Sequence, residues 1–121
     1  MIFDLEIRTT EFAKSIIKLC KKLPKDCINI RLISQLVASA GSIGANYREA
    51  NDSLGDKDFL HKLRIARKEA KETIHWLEVI KEANEDFSNE IDQNINEVTE
   101  INLILSAIIK KKSETTINYA S

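Results

Sequence analysis

At 121 residues, with 43% hydrophobic and 31% charged side chains, the chain suits one folded domain whose core needs no disulfide or metal staple. This balance excludes a disordered polymer, and no run reaches the ~18–20 apolar residues of a membrane span. The formal net charge of −1 excludes a global pull towards nucleic acid or anionic membrane, but residues 1–81 carry 15 Lys/Arg against 11 Asp/Glu and residues 82–121 carry 3 against 8. Any basic partner surface must therefore be local.

With only 3 Gly and 1 Pro, the chain is short of the residues that turns require, which favours long helices with few connections. The first segment is predicted over Leu5–Leu23, where Phe12, Ile16, Leu19, Cys20 and Leu23 recur at spacings of three and four. Asp4 is placed to cap its start, and Pro24 to stop it. The second is predicted over Ile30–Ala50, with Asn29 as N-cap and Ile33, Leu36, Ala40, Ile43 and Tyr47 in its apolar stripe. Gly41 and Gly44 each cost a helix about 1 kcal/mol relative to Ala. They are expected, with Ala40, at a tight helix–helix contact, a kink being the rival reading.

The third segment is predicted over Lys57–Glu85, with Asp56 as N-cap and Phe59, Leu63, Ala66, Ala70, Ile74 and Leu77 buried. Trp76 falls at the edge of that stripe. The fourth is predicted over Ser88–Lys112, capped by Ser88. Ile91, Ile95, Val98, Leu105 and Ile109 form one seam, and Ile101, Ile104 and Ile108 a second beside it. A lone bundle helix needs one stripe about 100° wide, so the second seam points to contact with another copy of the chain. Residues 113–121 read as a flexible polar tail. The expected architecture is all-α, an antiparallel up-down-up-down four-helix bundle spanning residues 3–112.

The central run from Ser42 through Ile43, Gly44, Ala45, Asn46, Tyr47, Arg48 and Glu49 to Ala50 carries a resemblance. With it go Lys57-Asp58-Phe59, Leu63 to Ala70, Trp76-Leu77-Glu78, the opening Phe3-Asp4-Leu5-Glu6 and the Leu23-Pro24-Lys25 stop. The chain resembles the four helix bundle proteins, also called the 23S ribosomal RNA intervening-sequence protein family. That resemblance implies a homopentamer with bundles around a central channel. Some members are encoded within insertions in ribosomal RNA genes. A related branch, the accessory variability proteins of diversity-generating retroelements, binds nucleic acid through basic residues and partners a reverse transcriptase. For most members no activity is established.

Function is sought on the outer face of the third segment. At about 100° per residue, Lys57, His61, Arg64, Lys68, Lys71 and His75 fall within about 80° of one another, opposite the buried stripe. Cations in such a row can track phosphates. The candidate nucleic-acid-binding set is Lys57, Lys62, Arg64, Arg67, Lys68 and Lys71, with Glu69 and Glu72 diluting it. The competing reading is a solvated face. Asn46, Arg48 and Glu49 read as structural, and Tyr47 and Trp76 as packing anchors rather than base-stacking platforms.

Glu72 with His75 matches half of a di-iron bundle element, but such sites need two elements and inward carboxylates, so no metal is expected. Seven residues separate Arg67 from His75, one more than the Arg-x(4–6)-His pair of all-helical nucleases allows. No catalytic residue, cofactor, small-molecule substrate or membrane contact is expected. Cys20 and Cys27 lack zinc-site pairing, and both thiols are expected reduced in the cytoplasm. The reading is a non-enzymatic homo-oligomer engaging RNA or a nucleoprotein weakly. The alternative is a structural or protein-binding bundle with no nucleic-acid role.

Overall fold

Asp4 opens the first helix, its carboxylate accepting from the backbone N–H groups of Glu6 at 2.9 Å and Ile7 at 3.4 Å. Those donors have no partner within the helix, so the cap satisfies them. The structure, a computed structural model, describes the backbone of residues 4–120 and the side chains of residues 4–115. Helix α1 spans Leu5–Lys22, α2 Cys27–Asn51, α3 Asp56–Ala83 and α4 Ser88–Ala120, with a 3-10 turn at Glu85–Phe87 before α4. No strand occurs among the described residues.

Cross-helix bonds give the directions. Arg8, Ser15 and Lys22 of α1 reach Glu97, Asn94 and Glu90 of α4, so the two run antiparallel. Lys62, Thr73 and Asn84 meet Glu49, Ser39 and Asn29, which sets α3 against α2. Arg48 of α2 bonds Glu6 and Thr10 of α1, while Asn29 bonds the Pro24 carbonyl at the opposite end. Lys112 of α4 pairs with Asp56, and Lys81 with Asp92, at the two ends of α3. Contacts join each helix to the next and α4 back to α1, closing an up-down-up-down ring.

The apolar stripes meet inside that ring. Ile16, Leu19, Leu36, Ile43, Leu63, Leu77, Ile80, Ile91, Ile101 and Leu105 are all fully buried. Each such side chain contributes about 1.5–3 kcal/mol on leaving water. Two buried polar contacts fix the register of α2 on α3. Thr73 donates to Ser39 at 3.0 Å. Asn29 and Asn84 donate to one another at 2.9 Å, and each gives its second amide proton to a carbonyl, of Pro24 and Ile80 respectively. Arg8 forks onto Glu97 at 2.7 and 2.9 Å. That bond raises the guanidinium above its ordinary value, partial burial opposing it.

Several boundaries differ from expectation. Asp26, not Asn29, caps α2, accepting from the Asn29 N–H at 2.8 Å, so the helix starts at Cys27. Asp56 lies within the first turn of α3 behind an uncapped Gly55, and its carboxylate pairs with Lys112 instead. Ser88 does not cap α4: its hydroxyl donates back to the Glu85 carbonyl. Helix α4 continues beyond Lys112 to Ala120. Phe59 is only partly buried, under the Lys112 ammonium at 5.9 Å, and Leu60 takes the core position.

The two glycines of α2 separate. The helix passes through both without a break. Gly44 is buried where a Cβ would sit 2.8 Å from Thr9 Oγ1 and 3.2 Å from Thr9 Cβ, so it permits the close approach of α1. Ala40 is buried beside it. Gly41 is exposed, with nothing within 4 Å of a would-be Cβ, and belongs to no tight contact. On α4, Ile101 joins the core and Ile104 and Ile108 pack against it, so most of the second seam is spent within the bundle.

Candidate nucleic-acid interface

Helix α3 buries Leu63, Ala66, Ala70, Thr73 and Leu77 and turns the opposite side outward. On that side Arg64, Lys68, Lys71 and His75 succeed one another at spacings of four, three and four, forming one line along the helix. Arg67 stands beside it, three residues from Arg64 and four from Lys71. The four cations, with His75, Glu72 and Trp76, line a groove of about 470 Å³. None of Arg64, Arg67, Lys68 and Lys71 lies within ion-pair distance of a carboxylate among the described residues. Arg64 makes one weak bond, to the Ser113 hydroxyl at 3.3 Å.

The other two candidates stand apart. Lys62 points towards α2 and bonds Glu49 at 2.9 Å, a contact that raises its pKa. It is an interhelical tie rather than a free cation. Lys57 is exposed in the first turn of α3, outside the groove, as is His61 in the next turn. The structural reading of the recognised run holds for its polar residues. Arg48 reaches Glu6 at 3.1 Å, Glu49 holds Lys62, and Asn46 donates to the Ser42 carbonyl at 2.8 Å. Tyr47 packs against the core.

Two carboxylates temper the groove. Glu72 lines it directly. Glu69 has its pKa raised, first by partial burial, then by the charge of Glu72 and a hydrogen bond with it, with Lys68 opposing. The negative charge beside the cations is therefore closely clustered. No group of three or more His, Cys, Asp or Glu able to hold a metal ion occurs among the described residues.

The 23S rRNA-intervening sequence protein model matches residues 4–107. The chain belongs to that family. Among solved structures, a Bacteroides thetaiotaomicron VPI-5482 protein of unknown function, from the S23 ribosomal protein family, is 37% identical. The match covers 88% of this chain and 99% of that one, with a TM-score of 0.81. No curated protein matches. Neither the family nor the Bacteroides protein is described by an enzymatic activity. Among the described residues, no helix is long and apolar enough to cross a membrane.

In this intervening-sequence family member, Trp76 is the packing anchor expected at the stripe's edge, and its place on the groove is what the sequence did not show. Its ring packs against the core, as an anchor does, yet also lines the basic groove. The signal was its position at the stripe's edge, eight residues after Lys68 and five after Lys71, where one face of a side chain is buried and the other is not.

Proposed function

We propose that this chain is a non-enzymatic, cytoplasmic homo-oligomer that binds RNA, free or within a nucleoprotein, weakly through the basic groove of α3. The observation that carries the reading is the convergence of Arg64, Arg67, Lys68 and Lys71 on one groove without carboxylate partners among the described residues. Elsewhere in the bundle Arg8, Lys22, Lys62, Lys81 and Lys112 are consumed in cross-helix ion pairs. Unpaired cations at helical spacing attract phosphate by displacing its counterions, and they carry no base sequence information.

One protomer offers few phosphate contacts, so a ring that repeats the groove is the natural route to useful affinity. Apolar surface supports self-association. Ile17 and Ile30 are 41% and 61% exposed and line, with Ile33 and Val37, a groove of about 440 Å³ between α1 and α2. A pentamer is the expectation carried from the family resemblance. That same apolar groove favours the second reading, a bundle that binds only protein.

Light scattering at micromolar concentration should return a multiple of the 13.8 kDa chain mass, and a clean monomer would remove the oligomer. Reversing Lys68 and Lys71 to Glu should abolish RNA retention while oligomer mass and helicity stay intact, since both side chains are exposed. Retention unchanged by that reversal would remove the groove as the binding site.

A further inference from the structure

The geometry points to a single-stranded ligand for this groove, held by its phosphates at the Arg64–Lys71 end and by a base stacked on Trp76 at the other. The inference rests on the phosphate-binding reading of the same site and adds the class of strand. The groove is chemically divided along α3. Arg64, Arg67, Lys68 and Lys71 occupy its first part, spread over about 10 Å of helix axis. Glu72, His75 and Trp76 occupy its second part. A carboxylate repels phosphate, so Glu72 disfavours continuing the backbone past Lys71.

What that end offers instead is an aromatic surface. Trp76 is partly buried, so the core holds its ring on one side while the ring still lines the groove. His75 meets it at an angle, with ring centroids 4.8 Å apart and planes at 70°, so the imidazole does not stack on the indole in parallel. A ring anchored in this way loses little freedom on accepting a base. Duplex RNA keeps its base faces inside its own stack and offers such a ring nothing, whereas an unpaired strand presents bases to it. Cations beside a stacking ring are the combination by which proteins hold single strands without reading sequence.

Trp76 is the chain's one tryptophan, so its fluorescence reports this site alone. The full-length protein at low salt is titrated with an oligouridylate, a fully paired RNA duplex of equal charge, and inorganic polyphosphate. The oligouridylate should bind and quench the emission. Polyphosphate should bind through the same cations and leave the emission unchanged, and the duplex should bind more weakly without quenching. Trp76→Leu should weaken the oligouridylate about tenfold and leave polyphosphate untouched, while Trp76→Phe, which keeps a ring and the core contact, should retain most of the affinity. If the oligouridylate binds without quenching and Trp76→Leu does not weaken it, stacking is overturned and phosphate binding stands. If neither the oligouridylate nor polyphosphate binds, the phosphate reading falls and the strand preference falls with it.

Discussion

Replacing Gly44 by Ala adds one methyl group at the α1–α2 contact. Built on the observed backbone, that methyl lies 2.8 Å from Thr9 Oγ1 and 3.2 Å from Thr9 Cβ. The hydroxyl could rotate, but it already donates to the Glu6 carbonyl at 3.1 Å, and the Cβ has no such freedom. The methyl must therefore push the helices apart or strain Thr9, at a cost of about 1–3 kcal/mol. Against this stands the gain of about 1 kcal/mol from replacing a helical glycine by alanine. The net expectation is a loss of roughly 0–2 kcal/mol. Gly41 supplies the control on the same helix: with nothing within 4 Å, Gly41→Ala should collect the propensity gain alone and stabilise by about 0.5–1 kcal/mol. Urea unfolding at one fixed protein concentration measures both, because association would otherwise shift the midpoints. Thr9→Ala should relieve most of the Gly44→Ala penalty, a coupling that a double-mutant cycle reads directly. If Gly44→Ala stabilises as much as Gly41→Ala, the close approach of α1 and α2 is wrong.

Asn84→Ala removes one half of the buried amide pair and leaves Asn29 with an unpartnered oxygen, so unfolding free energy should fall by about 1–3 kcal/mol. An unaltered urea midpoint would show that water replaces the partner. Burial raises the Cys20 thiol to about 11, whereas Cys27 is exposed, so a thiol reagent at pH 8 should modify Cys27 rapidly and Cys20 only on unfolding; two equally fast equivalents would contradict this. Glu69 has a raised pKa, so the native state binds its proton more tightly than the unfolded chain does, and this group favours folding less as pH rises through its folded value. Glu69→Gln should therefore stabilise relative to wild type more at pH 7 than at pH 4, and a pH-independent difference between the two melting temperatures would sink that reasoning.

The fold was legible because its signals are local and redundant. Four apolar stripes, the Asp4 cap and the Pro24 stop all agree with the observed α1 and with the bundle as a whole. What was hidden depended on residues distant in sequence. Asp26 and Asn29 are both good caps three residues apart, and the choice between them is made by Asn84, which gives Asn29 a buried partner 55 residues away. Gly41 and Gly44 are equally unusual in a helix, and only the position of Thr9 tells which of them matters. The basic row was visible as spacing, but Lys62, a candidate at its margin, is drawn away by Glu49 on α2. Trp76 entered the site because a ring at the boundary of a stripe can serve core and surface together, a distinction that helical angle alone does not make.

The central claim is that the α3 groove binds the phosphates of RNA. Fluorescence anisotropy of a labelled, unstructured RNA across a range of salt concentrations tests it most directly. With four groove cations, the logarithm of the association constant should fall with the logarithm of salt at a slope of up to about −3 per protomer engaged. Reversing Lys68 and Lys71 to Glu should abolish binding, and Glu72→Gln should tighten it. A slope near zero, or wild-type protein that fails to bind RNA at the lowest salt, would contradict the claim and leave α3 with only a solvated face.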